Sequence, residues 1–320
     1  MKTLAVYHKQ LGDTLLLQPA LAKLAAEDGE AVGVITRPGF ADLVRLMPGA
    51  APVRWQHAPR VERLFSYDTG DRSTFSSFWS GARQRTLFAF SEYYRRFYHS
   101  WVFHHVRYEE QGQRYRGRYF WDITPGEAPF DLPQLNAPPA DWSHESLPRQ
   151  PFILIHPTSA WQRKCWPADP WREVLAHLRK ISSLPVVLTG GTSDWERGLC
   201  ADVGRDDPEV LNLGGRTSIR QIIAAASQAA MVLTVDGFMS HLALAYRKPC
   251  VTLFGPTNAN HWHAASEWSE AIFDGDQASS KTKTLDAMPA SRVTDAVERW
   301  LGTLSGRAPA SPLPLPSAGS

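Results

Sequence analysis

Residues 232–257, VLTVDGFMSHLALAYRKPCVTLFGPT, constrain the fold of this chain more than any other stretch. Two apolar, β-branched runs, Met231–Val235 and Cys250–Phe254, flank residues 239–245, where apolar side chains recur at helical spacing. This reads as a βαβ unit. Its polar residues gather at two places: Asp236, Gly237, Ser240 and His241 where the first strand hands over to the helix, and Gly255, Pro256 and Thr257 where the second strand ends. Open α/β sheets bind ligands at the carboxyl ends of parallel strands. A helix starting there offers unpaired N–H groups and a positive dipole end, which suits a phosphate or diphosphate.

The rest of the chain alternates in the same way. Residues 3–7 read as a buried strand, 14–26 as a helix, 31–36 as a strand, 39–47 as a short helix, and 52–56 and 61–67 as strands. Beyond residue 150 the pattern resumes with strands at 152–156, 185–189 and 210–213 and helices at 170–180, 194–202 and 218–229, and it closes with an amphipathic helix at 293–301. Between these halves lie Pro125, Pro129, Pro133, Pro138, Pro139 and Pro148, a run suited to a linker. With 320 residues the chain has room for two domains, expected at 1–148 and 149–303. Residues 304–320, rich in Pro, Ala and Ser, are expected to be a disordered tail.

Charge and cysteine usage narrow the function. A net charge of +2 is too balanced to argue for nucleic acid, so any basic function is local. Cys165, Cys200 and Cys250 form neither a disulfide framework nor a zinc motif, and no metal or cofactor is expected. A cytoplasmic protein, soluble or peripheral, is the expectation, since no stretch approaches the length of a membrane span.

Three loops that follow predicted strands would line a cleft between the domains. In the first, HKQLGDT at 8–14, Asp13 opens a helix and is either its N-cap or a carboxylate able to take a proton from an attacking hydroxyl. The second, 156–167, concentrates Thr158, Ser159, Arg163 and Lys164, the inventory for holding phosphate oxygens without a metal, although it is not a P-loop. Alternatively it is a solvated basic loop. The third is the opening segment, where Asp236 could be only a cap and His241 only a buried histidine.

Five motifs then stand in order: LGDTLLLQPAL at 11–21, HPTS with KCWP at 156–167, GGRTS at 214–218, D-x4-HLA at 236–243 and LFGPT at 253–257. Together they resemble the heptosyltransferases of glycosyltransferase family 9. The resemblance implies a GT-B fold of two Rossmann-like domains, with a nucleotide sugar held by the C-terminal one and a lipopolysaccharide acceptor by the other. It implies inverting, metal-independent transfer of a heptose or related sugar from an ADP-sugar. By position, Asp13 would be the general base. Thr158, Ser159, Lys164 and the backbone from Gly237 through Ser240 to His241 would hold the diphosphate, Asp236 would touch the donor sugar, and Glu196 would fall near the ribose. Where relatives often carry threonine and glycine after the aspartate, this chain has Gly237 and Phe238.

Residues 77–121 lie outside the resemblance. Eight arginines and three acids are interleaved with aromatics between Gly81 and Phe120, and mostly helix is expected, with a loop near Gly112. Arg95, Arg96 and Arg114 are the candidates for an acidic glycolipid acceptor, met transiently at the inner membrane by a monomeric protein. Single-stranded nucleic acid or a plain packed helix pair would use the same residue types. Two other functions fit the same loops: a sugar-nucleotide epimerase of like architecture, and a non-catalytic nucleotide-sugar or glycolipid binder.

Overall fold

The computed structural model describes residues 1–273 and 283–304. It divides into two units, one formed by 1–143 with 244–246 and 260–264, the other by 144–243, 247–259 and the described part of 265–304. The main-chain division falls at Ser143–His144, inside the proline-rich stretch. The expected tail lies outside the described residues except for Leu304, which ends the last helix.

The N-terminal unit carries β1 (Thr3–Val6), β2 (Val32–Ile35), β3 (Ala50–Pro52), β4 (Arg63–Ser66), β5 (Gln84–Ala89) and β6 (His105–Tyr108) in the order β3-β2-β1-β4-β5-β6. All its pairings are parallel. β1 and β2 are buried throughout, as parallel strands covered on both faces must be, which explains their unbroken apolar runs. The helix expected at 14–26 is two helices, Leu11–Leu16 and Gln18–Asp28. Pro19 causes the break: it has no N–H to continue the first helix, yet is favourable in the first turn of the next. The second helix stops at Gly29, which adopts φ 70°.

The C-terminal unit repeats the plan with β7 (Ile153–His156), β8 (Val186–Leu188), β9 (Leu211–Asn212), β10 (Met231–Val235), β11 (Cys250–Phe254) and β12 (Ser269–Phe273), ordered β12-β11-β10-β7-β8-β9. These strands are parallel as well. β12 went unread in the sequence because its residues are only partly buried and lack a continuous apolar run. Helix Ala168–Ile181 buries Trp171, Val174, Leu175 and Leu178, one stripe at 3.6-residue spacing, in the same core that takes Val293, Val297 and Leu301 of helix Ala290–Leu304. Trp166 and Trp171 meet edge to face at 5.2 Å, and the Trp166 indole donates to the Met288 carbonyl.

Residues 77–121 are not mostly helix. They contain the end of helix Asp71–Trp79, strands β5 and β6, the four-residue helix His99–Val102 and part of helix Arg116–Ile123. The signal was there in Leu87, Phe88 and Ala89, consecutive and buried as a parallel strand requires, but the surrounding aromatics masked it.

Candidate functional site

In the C-terminal unit the strand order reverses between β7 and β10, so the loops leaving these two strands diverge and open a crevice. Lys164 ends a 3-10 turn in the loop after β7, and Asp236 directly follows β10. The Lys164 ammonium lies 2.7 Å from Asp236 Oδ2, and Thr257, beyond β11, donates to the same oxygen at 2.6 Å. With the Asp236 side chain only 2% exposed, the carboxylate is desolvated and its negative charge is met by a cation and a hydroxyl. An ammonium carries three donors, so Lys164 retains capacity for a second anion.

The surrounding loops are pinned rather than loose. The Thr158 hydroxyl, buried, accepts from the Gly191 amide at 3.1 Å, and the Ser159 amide donates to Cys165 Sγ at 3.2 Å. Burial pushes the Cys165 thiol up to about 11, which keeps it protonated and makes it a packing side chain, not a nucleophile. Glu196 is buried. It closes a capping box with Ser193 at the head of helix Asp194–Gly204, and its carboxylate lies where a Cβ on Gly191 would stand, so a side chain there would push the Glu196 carboxylate aside. His241, inside helix Phe238–Ala245, is buried. Burial pushes its imidazole down to about 4; Asp236 opposes that shift and Lys164 adds to it, so the ring is neutral at physiological pH. Ser240 donates to the Gly237 carbonyl at 2.7 Å, closing the first turn. A Cβ on Gly237 would find Ser159 Oγ at an ordinary 3.7 Å, so sterics alone do not demand glycine there.

In the N-terminal unit the same reversal falls between β1 and β4. Asp13 is the third residue of helix Leu11–Leu16, whose N-cap is Gln10, so Asp13 is a first-turn acid and not the N-cap. Its carboxylate hydrogen-bonds the Tyr7 phenol. Tyr7 is pushed well above its ordinary range, first by burial and then by the negative charge of Asp13, with the Arg116 guanidinium acting in the opposite sense. A second carboxylate, Asp68, is 2% exposed and accepts from the amides of His8 and Gly70 at 2.9 and 2.7 Å and from the Ser73 hydroxyl, with Lys9 at 3.5 Å. Asp68 was missed in the sequence, although Asp-Thr-Gly at 68–70, just past a strand, is an Asx-turn signature.

Residues 124–291 match the family model described as glycosyltransferase family 9 (heptosyltransferase). The chain belongs to glycosyltransferase family 9. Among curated relatives it is similar to lipopolysaccharide heptosyltransferase 3 of Escherichia coli K12, 27% identical over 160 residues, 47% of this chain and 46% of that one. The chain thus spans about half the length of that relative. Among solved structures, ADP-heptose LPS heptosyltransferase II of E. coli superposes with a TM-score of 0.79 at 19% identity, covering 96% of this chain and all of the other. An E. coli heptosyltransferase solved with ADP gives 0.75 at 16% identity, over 94% and 100%. This family member therefore has the expected α/β fold of the GT-B class.

Apart from Asp13 in the N-terminal unit, the family residues read from sequence fall into two sets. Thr158, Ser159, Lys164, Asp236, Gly237, Ser240 and His241 gather where β7, β10 and their loops end, while Glu196 lies one strand over, beside β8. The three arginines stand in different surroundings: Arg95 and Arg96 are exposed, whereas Arg114 is held by Glu109 and Asp122 at 3.0 and 3.1 Å and by the Gln111 carbonyl.

Proposed function

We propose that the protein transfers a heptose, or a related sugar, from an ADP-sugar to the inner core of lipopolysaccharide, with inversion and without a metal ion. The observation that carries this reading is the Lys164–Asp236 pair at the β7/β10 reversal: a cation fixed where a diphosphate would lie, with donors to spare. Family membership supports the reaction class. Relatives named as lipopolysaccharide heptosyltransferases support the acceptor, and a neighbour holding ADP supports the donor.

In this reading the Asp13 carboxylate takes the proton of the acceptor hydroxyl as its oxygen attacks the anomeric carbon of the sugar. The bond from that carbon to the β-phosphate oxygen breaks, and its electron pair leaves with ADP. Lys164, Thr158, Ser159 and the amides opening helix Phe238–Ala245 stabilise the charge that gathers on the leaving diphosphate. Asp236 positions the sugar through its own hydroxyl contacts, and Glu196 lies near the ribose. The protein works as a monomer at the cytoplasmic face of the inner membrane, where its acceptor is presented, and uses no cofactor.

The test is a panel of ADP-, UDP- and GDP-sugars screened for thermal stabilisation, followed by ADP release with and without acceptor. Stabilisation by ADP-heptose and release that requires acceptor are expected, and chelator should leave the rate unchanged. Acceptor-independent turnover would replace transfer with isomerisation of the sugar nucleotide. Loss of rate with chelator and rescue by magnesium would end the metal-independent reading.

A further inference from the structure

Helix Asp71–Trp79 is built inside out. Ser73, Thr74, Ser76 and Ser77 are buried, while Phe75, Phe78 and Trp79, at the i, i+3, i+4 spacing of one helical face, are 51%, 51% and 60% exposed. A helix that only served a soluble core would show the reverse pattern. Three of the buried hydroxyls have partners, since Ser73 donates to Asp68, Thr74 to the Gly70 carbonyl and Ser77 to the Ser73 carbonyl, which holds the helix in this orientation. A second element extends the face: the Tyr98 phenol donates to Asp71, and beside it Phe97 and Trp101 meet edge to face at 5.4 Å, each 74% exposed.

The charge around this face is one-sided. Arg72, Arg83, Arg95 and Arg96 are exposed, and among the described residues none of them forms an ion pair. Residues 71–101 hold only two carboxylates, Asp71, which accepts from Tyr98, and Glu92. Aromatic rings on one face with arginines around them are what an anionic lipid interface selects: the rings enter the headgroup region and the cations meet lipid phosphates. A second copy of the chain suits the face less well, because a two-fold contact would bring the same arginines against each other. We infer that this surface docks the protein on anionic phospholipid through Phe75, Phe78, Trp79, Phe97 and Trp101. This locates the membrane contact of the proposed function, yet it is read without nucleotide sugar or acceptor and so stands or falls on its own.

The experiment is co-flotation of the full chain with phosphatidylcholine vesicles, alone or containing phosphatidylglycerol. Wild type should float only with the anionic vesicles, and raised salt should weaken it. Phe78→Ser/Trp79→Ser should lower binding by about tenfold or more, and Arg72→Glu/Arg83→Glu by a similar factor. Both pairs are exposed, so circular dichroism and thermal melting should match wild type. Equal flotation of the variants, binding to neither vesicle, or a wild-type dimer in sedimentation that Phe78→Ser/Trp79→Ser turns into a monomer would each overturn the inference, the last in favour of self-association.

Discussion

The two sheets have the same strand order and reverse at the same place, yet different side chains stand at their reversals. At β1/β4 the N-terminal unit presents carboxylates: Asp13 against Tyr7, and Asp68 caught by two amides, a serine and a lysine. At β7/β10 the C-terminal unit presents an ammonium supported by a carboxylate, with hydroxyls and amides around it. Topology thus decides where a doubly wound unit can bind, while side chains at the strand ends decide what it can bind. In the proposed function the Lys164 ammonium serves a diphosphate and the Asp13 carboxylate a hydroxyl that must lose its proton.

Substitutions can break that contrast at each end. Asp13→Asn is expected to give the largest effect, a fall in turnover of about 10² to 10⁴, the usual share of a general base, with unchanged thermal stability. Unaltered turnover would make Asp13 only a partner of Tyr7. Asp68→Asn separates the two acids of the same crossover: it takes a charged acceptor from several buried donors, so urea unfolding should show a loss of about 2–4 kcal/mol. A loss of turnover in Asp68→Asn with stability intact would move catalysis from one acid to the other.

On the basic side, Lys164→Gln keeps a donor for Asp236 but removes the charge offered to a diphosphate, and ADP binding should weaken about 10- to 100-fold. The smallest effect concerns His241. Its imidazole is held near 4 in the folded protein against about 6.5 when unfolded, so the unfolded chain binds the extra proton between these values. The stability this contributes is present above pH 6.5 and is lost as pH falls toward 4. Chemical denaturation at pH 5 should show about 1–2 kcal/mol less stability from this group than at pH 7, and His241→Gln should flatten that part of the profile. A steep acid limb that survives in His241→Gln would assign it to other histidines, such as His156, which burial also pushes down to about 4.

The same contrast explains what could be read from the chain. Most of the C-terminal unit was legible because β7, β8, β10 and β11 are buried, mainly apolar runs and its polar residues sit in the loops directly after them. Asp236 and His241 stand five residues apart, one before and one within helix Phe238–Ala245, and Lys164 follows its strand within a single loop. The pairing of Thr257 with Asp236 could not be read, since parallel register joins residues far apart in sequence, though the motif holding Thr257 was visible. Less of the N-terminal unit was legible. β5 and β6 lie among aromatic residues that pack at a sheet edge or face outward, so hydrophobicity there did not report burial, and helix Asp71–Trp79 inverts the usual pattern outright. Arg114 illustrates the limit for charges: the sequence made it a candidate for an acidic acceptor, and only the structure shows its pairs with Glu109 and Asp122.

The division of labour between the two crossovers is tested most directly by calorimetric titration of ADP into Asp13→Asn and Lys164→Gln side by side. Affinity within about twofold of wild type for Asp13→Asn, and at least about tenfold weaker for Lys164→Gln, is the expected result. Wild-type affinity in Lys164→Gln, or a collapse of ADP binding in Asp13→Asn, would contradict it.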